Sequence, residues 1–169
     1  MQFESLVREH GRFAFALAFR LLGDADEAKD VAQESFIRIW KNFHLYDPEK
    51  RFTTWLYRIV TNVSIDCIRK KRRTPLTRIG DARESGGIVD PYAPETAIAR
   101  DLAGIVRLLA ARLPLKQRVV FTLRDMQDLD MDEIAVVTNL SRGAIKTNLH
   151  YARRRIRELL KTEYGISEP

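Results

Sequence analysis

The sequence predicts an all-α protein with two small helical domains joined by a flexible linker. Apolar residues recur every three or four positions along most of the 169 residues, and strict apolar–polar alternation never runs for long. The 8 glycines and 6 prolines are too few to interrupt helices except where they cluster. Hydrophobic residues form 45% of the chain, which is enough to build packed cores.

The first domain, residues 1–73, begins with two predicted helices. Apolar residues recur at helical spacing from Phe3 to Leu21, and Gly23 closes that helix. Asp24 with Glu27 three positions later forms a capping-box pattern, which opens a second helix that ends near residue 43. The inward side of this helix is predicted to carry Ala28, Val31, Ala32, Ser35 and Ile39.

A third helix is predicted after a loop over residues 44–50, since Pro48 cannot continue a helix. It runs from about Thr53 to about Arg73. Its predicted inward residues are Leu56, Ile59, Val60, Val63 and Cys67.

Residues 74–97 are predicted to be a linker, because the periodicity stops there and turn-forming residues gather. These residues are Pro75, Gly80, Gly86, Gly87, Pro91 and Pro94.

The second domain, residues 98–169, opens with two further predicted helices. Pro114 is expected at the first helical position of the later one, where its missing N–H costs nothing. The apolar residues that mark the two helices are Leu102, Ile105, Val106, Leu109 and Leu113, followed by Val119, Val120 and Leu123.

A helix-turn-helix is predicted between Met131 and Ile156. Asp130 and Glu133 form a second capping-box pattern before a short helix, and Ser141 caps a long helix that continues to about residue 164. A short helix, a three-residue turn and a longer helix form the layout of a DNA-recognition element. The apolar stripes of the two helices are Ile134, Ala135 and Val137, then Ile145, Leu149, Ala152, Ile156 and Leu159.

The charge of the last helix suits DNA. The chain carries a net charge of +6, and from Arg142 to Lys161 there are seven Lys or Arg against the single acid Glu158. Such cations neutralise phosphates, and residues early in the helix can reach base edges in the major groove. A merely solvated basic helix is the simpler interpretation, but the preceding short helix and turn favour DNA binding. His150 fits either a solvated or a DNA-contacting role.

The start of the second helix is acidic, with five acids against Lys29 between residues 24 and 34. The helix macrodipole accounts for the acids in the first turn, but Asp30 and Glu34 lie beyond it. An acidic face for a basic partner protein is the second interpretation.

The third helix combines aromatic and basic residues. Phe52, Trp55 and Tyr57 precede five consecutive bases at residues 69–73. Aromatic rings stack on unpaired bases while cations follow the backbone, so the segment suits single-stranded nucleic acid. Trp55 could equally be a core residue, and the basic run could simply end the helix.

Several function classes find no support. Cys67 is the only cysteine, so no disulfide forms within the chain and zinc sites with two or more cysteines are excluded. The three histidines are scattered, and no phosphate-binding glycine loop or nucleophile elbow occurs. We therefore expect no catalysis, metal or cofactor. With no signal peptide and no stretch of about 18 apolar residues, we also expect a cytoplasmic protein without membrane insertion.

In this order, the motifs resemble the extracytoplasmic-function (ECF, group 4) sigma factors of bacterial RNA polymerase over nearly the whole chain. In the first domain they are DEAKDVAQESF from residue 26, Trp40, and FTTWLYRIVTN from residue 52 with Asp66 and Arg69. In the second domain they are LPLKQRVVF from residue 113, DEIA from 132, GAIKT from 143 and HYAR from 150. Asn139 stands where a glycine is common, and Asn148 where a basic residue is frequent.

The resemblance implies three contact sets. The first set would contact core polymerase, through its largest and second-largest subunits. It consists of Asp26, Asp30, Gln33, Glu34, Phe36 and Trp40. The second set would contact the −10 element, which is read as a melted single strand with a flipped base. It consists of Lys50, Arg51, Phe52, Trp55, Arg58, Asn62, Asp66 and Arg69. The third set would contact the −35 element, which is read as duplex. It consists of Ser141, Arg142, Gly143, Ala144, Lys146, Thr147, His150, Arg153 and Arg154.

The resemblance also implies control by an anti-sigma factor. A stand-alone helix-turn-helix regulator is the alternative. The acidic second helix and the aromatic–basic third helix favour the sigma factor, because a plain regulator needs neither.

Overall fold

The computed structural model describes residues 3–73 and 96–166, and the chain divides into two compact units, Met1–Ala93 and Pro94–Pro169. Every regular element in the described residues is helical, as the sequence predicts. Most of the predicted linker lies outside the described residues. The helices of the first unit are α1 (Phe3–Leu22), α2 (Ala25–Lys41) and α3 (Phe52–Arg73), and those of the second are α4 (Ala97–Ala110), α5 (Leu115–Phe121), α6 (Met131–Thr138) and α7 (Arg142–Tyr164).

The first unit is a bundle in which α1, α2 and α3 each pack against the other two. Gly23 adopts a left-handed φ of 76° that ends α1, and the Asp24 side chain then accepts a hydrogen bond of 2.9 Å from the Glu27 N–H to cap α2. Gly23 ends α1 as the sequence predicts, and the bond from the Glu27 N–H to Asp24 is one half of the predicted capping box. The fully buried core includes Leu17, Phe19, Leu21, Ile39, Leu56 and Val60.

Two details of this unit differ from the sequence prediction. Ile59 and Cys67 are only half-buried, while Thr61, Ser64 and Ile68 are buried. The reason is that α3 packs against both α1 and α2, which widens its buried arc toward the small polar residues. Helix α2 also ends at Lys41, and a single 3₁₀ turn, Phe43–Leu45, follows it.

The second unit packs α4, α5 and α6 against α7. Helix α4 begins at Ala97, one residue inside the predicted linker, with Thr96 as its N-cap. Pro114 precedes α5 as the N-cap instead of occupying its first position, because its ψ of 145° is extended. The Asp130–Glu133 capping box is complete, as predicted.

A π-helical turn over Thr122–Met126 continues α5, where the sequence predicts ordinary helix. Leu123 is nevertheless buried, as the apolar pattern of the sequence predicts. Arg124 Nη1 donates 2.8 Å to the carbonyl of Leu129 and holds the end of the turn. Searched over the described ranges, no helix is long and apolar enough to cross a membrane.

Candidate nucleic-acid interface

Helices α6 and α7 and the turn between them form the expected helix-turn-helix. Asn139 takes a left-handed conformation, with φ 58°, that ends α6. Ser141 accepts a hydrogen bond of 3.1 Å from the Ala144 N–H and starts α7. The predicted apolar stripe of α7 is buried at all five positions, which leaves the opposite face to solvent: Ile145, Leu149, Ala152, Ile156 and Leu159.

The residues predicted to contact the −35 element all lie on α7 or its cap. Eight are exposed and Ala144 is half-buried, the exposed ones being Ser141, Arg142, Gly143, Lys146, Thr147, His150, Arg153 and Arg154. The helix therefore presents them as a continuous polar and basic surface.

The basic side chains of this surface differ in their ionic partners. Arg153 makes a two-pronged bond to Asp125, with Nε–Oδ2 at 2.8 Å and Nη2–Oδ1 at 2.6 Å. Arg142 bonds to Asp132, with Nε–Oδ1 at 2.9 Å. Lys146 has no ionic partner among the residues that the structure describes.

Ion pairs on α7 shift the pKa values of two side chains. Hydrogen bonding to Asp125 raises the pKa of the Arg153 guanidinium, against an opposing desolvation effect. Hydrogen bonding from Arg154, and then from Arg155, lowers the pKa of the Glu158 carboxyl. Sequence reasoning missed Asp125 and Asp132, because no short-range pattern marks partners that are 28 and 10 residues away.

An aromatic cluster surrounds the start of α3. The rings of Tyr46 and Trp55 stack with centroids 5.4 Å apart and planes 17° apart, and Phe52 meets Trp55 edge-on at 6.2 Å. The ring centroids of His10, in α1, and Phe52 are 5.0 Å apart. Tyr46 donates its hydroxyl to the Lys50 carbonyl at 3.0 Å, which ties the loop to the cluster.

Trp55 is half-buried, so it is neither a fully enclosed core residue nor a free ring. Sequence reasoning missed Tyr46 and His10, which belong to a loop and to α1. Phe52 is buried beneath the cluster.

The remaining residues predicted to bind the −10 element are exposed. Lys50 and Arg51 lie in the loop before α3. The other four follow one another every three or four positions along α3 and so share a face with Trp55. They are Arg58, Asn62, Asp66 and Arg69.

Arg38 links the residues predicted for polymerase binding to those predicted for −10 binding. Its Nε lies 2.8 Å from Glu34 Oε1, and its Nη1 lies 3.4 Å from Asp66 Oδ2. The hydrogen bond to Glu34 is the main cause that raises the pKa of Arg38. A single cation from α2 thus serves two carboxylates.

One exposed face of α2 carries Asp26, Asp30 and Gln33, and continues to Trp40, which is 61% exposed. Glu34 is half-buried beside this face. Between α1 and α2 lies an apolar groove of about 510 Å³. We call it the α1–α2 groove, and its lining includes Phe3, Val7, Gly11, Phe36, Ile37 and Trp40.

Phe36 lines this groove and is only 8% exposed, so it belongs to the core as well as to the groove. Within residues 3–73 and 96–166, no three His, Cys, Asp or Glu side chains come together in a way that could hold a metal ion.

Two family models match the chain. Residues 6–74 match the model of sigma-70 region 2, and residues 103–156 match that of sigma-70 region 4. The pair defines a sigma-70-type protein in which each compact unit carries one region.

Similar proteins narrow the class. ECF RNA polymerase sigma factor SigW of Bacillus subtilis is 35% identical over 157 residues, covering 87% of this chain and 82% of SigW. The RNA polymerase sigma-H factor of Pseudomonas aeruginosa is 31% identical, covering 94% of this chain and 86% of its own. The chain therefore belongs to the ECF sigma factors of the sigma-70 family.

Solved structures agree in fold. CnrH, solved in complex with the cytosolic domain of CnrY, has a TM-score of 0.68 at 26% identity, with 95% of this chain and 88% of CnrH covered. The sigma factor RpoE of Bartonella quintana, solved with the anti-sigma factor NepR, also has a TM-score of 0.68, at 20% identity. The match covers 95% of this chain and 98% of RpoE.

Proposed function

We propose that this protein is a dissociable promoter-recognition subunit of RNA polymerase, in which the first unit binds core enzyme and melted −10 DNA and the second reads duplex −35 DNA. The observation that carries the proposal is the surface of the first unit, which has an exposed acidic face on α2 and a half-exposed tryptophan on α3. A helix-turn-helix regulator needs neither feature, and here the helix-turn-helix belongs to the second unit. The chain performs no catalysis and needs no cofactor, since the polymerase supplies the chemistry.

Core polymerase would dock on α2. Asp26, Asp30 and Gln33 offer carboxylate and amide groups to a basic surface of the largest subunit, while Trp40 adds apolar area beside them. The second-largest subunit is the other proposed contact. Because polymerase and DNA lie in the cytoplasm, we expect the protein to act there.

The melted −10 strand would be captured along α3. One face of Trp55 already stacks on Tyr46, so the ring is held in place before a base arrives. Flipping a base costs a few kcal/mol, and stacking on an aromatic ring returns about 1–3 kcal/mol per base. Lys50, Arg51 and Arg58 would follow the phosphates of the strand.

The −35 duplex would be read by α7. Ser141 caps the helix whose N-terminal N–H groups can face a phosphate. Lys146, Thr147 and His150 are exposed on the turns that enter the major groove in a helix-turn-helix.

An anti-sigma factor would inhibit the protein by covering the α1–α2 groove. Trp40 and Ile37 expose 61% and 47% of their surface there, and an apolar segment of a partner would bury both. Blocking this groove would also block the neighbouring acidic face of α2.

Run-off transcription with purified core polymerase, with and without the protein, tests the proposal. Specific transcripts from genomic promoter fragments that appear only with the protein would support it and identify the promoters. If no transcript appears while the protein alone binds duplex DNA, the chain is a stand-alone regulator.

A further inference from the structure

A two-pronged bond to Asp125 distinguishes Arg153 from Lys146 on the DNA-reading helix. Arg142, Lys146 and Arg153 share one flank of α7, because they are separated by four and seven positions. Lys146 is free of ionic partners within the described residues, whereas both prongs of the Arg153 guanidinium are engaged. The flank therefore contains cations that are not equally available to DNA.

Asp125 lies in the π-helical turn Thr122–Met126. It follows Leu123 by two residues, and Leu123 is fully buried and accepts a hydrogen bond of 3.0 Å on its carbonyl from the Leu129 N–H. The Asp125 side chain is 24% exposed, against 47% for that of Arg153. Single π turns are uncommon and are found frequently at functional sites. The turn presents the carboxylate to the side of α7.

The pair is close to neutral as a unit. Two-pronged bonds between Arg and a carboxylate fix the geometry of both groups, and here they engage Nε and Nη2 of the guanidinium. A cation already paired in this way releases few counterions when DNA approaches, since counterion release requires a net positive charge at the phosphate.

We propose that Asp125 is a positioning residue that sets the DNA specificity of α7 by acting through Arg153. On non-cognate DNA the carboxylate keeps Arg153 as a neutral pair. On its own site, where α7 sits fully in the groove, a phosphate competes successfully for the guanidinium. The inference rests on the proposed DNA-reading function of α7.

Two consequences distinguish this role from simple stabilisation. Removing the carboxylate would strengthen binding to random-sequence DNA, because one more cation becomes available everywhere. Binding to the cognate site would gain little, since Arg153 already reaches a phosphate there. A residue that only stabilised the fold would weaken both when it was removed.

The test uses full-length Asp125→Asn and two duplexes, one of random sequence and one carrying the promoter found by run-off transcription. Binding is measured over a range of salt concentrations. On the random duplex, we expect affinity to rise about two- to fivefold at low salt and the salt slope to steepen by about 0.9, the value for one added phosphate contact. The ratio of specific to non-specific affinity should fall by a similar factor.

Three variants control the result. Asp101→Asn makes the same charge change at an exposed position of α4 and should leave the slope unchanged. Asp125→Glu keeps a carboxylate and should retain most of the wild-type ratio. Asp125→Asn combined with Arg153→Ala should lose the gain on random DNA, because the cation that was freed is then absent.

The proposal is wrong if Asp125→Asn matches Asp101→Asn on the random duplex, or if the double variant keeps the gain. Thermal unfolding of each variant checks that the fold is intact. Failure of the wild-type protein to activate core polymerase would overturn the proposed function, and the random-duplex comparison would still decide the role of the pair.

Discussion

At the scale of single residues, the cations of α7 are distinguished by the acids beside them. Arg142 and Arg153 are held by Asp132 and Asp125, and Arg154 bonds to Glu158 at 3.1 Å. Exposed ion pairs contribute little to stability, but they decide which charges a phosphate meets unpaired. Lys146 is thus the clearest candidate for a direct phosphate contact.

Lys146→Ala should weaken binding to the −35 duplex and make the salt slope shallower by about 0.9, as expected for one lost phosphate contact. Core-polymerase binding should not change. Fluorescence anisotropy across salt concentrations measures the slope. Lys41→Ala, which removes an exposed charge from the first unit, serves as the control. An unchanged slope for Lys146→Ala would remove Lys146 from the DNA interface.

Arg153→Ala is expected to weaken binding to the −35 duplex too, but it also leaves Asp125 without its partner. Its result is interpretable only beside Asp125→Asn. The sequence predicts the DNA role of Arg153, and that role stays a prediction.

At the scale of elements, the junction between the 3₁₀ turn, the loop and α3 holds an aromatic cluster in which Trp55 keeps one face against Tyr46. Trp55 therefore packs within the cluster while staying half-exposed, and its role in recognition stays a prediction. The cluster orients the ring at the start of the proposed single-strand path.

Trp55→Ala should impair open-complex formation more than initial promoter binding, with a loss of about 1–3 kcal/mol in strand capture. Permanganate reactivity of the −10 bases reports opening, and gel shift reports initial binding. Trp40→Ala is the matched control, since this second tryptophan lies on α2 and should reduce polymerase binding instead. Global unfolding of Trp55→Ala would show that the ring is mainly structural.

The turn of the helix-turn-helix depends on Asn139, the left-handed C-cap of α6. Asn139→Ala should destabilise the second unit by about 1–2 kcal/mol, because alanine lacks the short polar side chain that lets asparagine adopt the left-handed conformation. Asn139→Gly should be neutral or slightly stabilising. Denaturant unfolding compares the two, and equal effects would contradict a conformational cause.

At the scale of the whole molecule, the two units carry separable proposed tasks. The acidic face belongs to α2 in the first unit, and the basic helix α7 belongs to the second. Substitutions should therefore affect either polymerase binding or duplex binding, with little cross-effect.

Asp30→Lys reverses a charge on the exposed face of α2 and should weaken core-polymerase binding about tenfold or more, since like charges brought together at an interface cost several kcal/mol. Duplex binding by the protein alone should stay at the wild-type level. Polymerase pull-down and anisotropy separate the two readouts, with Lys146→Ala as the reciprocal control. Equal loss of both activities in either variant would contradict the division of tasks.

The sequence by itself determined the helices, most of their limits and several of their caps. Asp24, Asp130, Asn139 and Ser141 act within four residues of their own positions, and helical periodicity identified the α7 stripe. Such local features depend only on neighbouring residues, so a single sequence is enough to read them.

Only the tertiary structure decided which distant groups meet. Asp125 lies 28 positions from Arg153, as Arg38 does from Asp66. The aromatic cluster joins α1, a loop and α3. These contacts depend on how the helices pack and on the π turn that re-aims one side chain, and no pattern within one helix encodes them. The core of α3 shifted for the same reason, because two neighbouring helices bury a wider arc than one apolar stripe suggests.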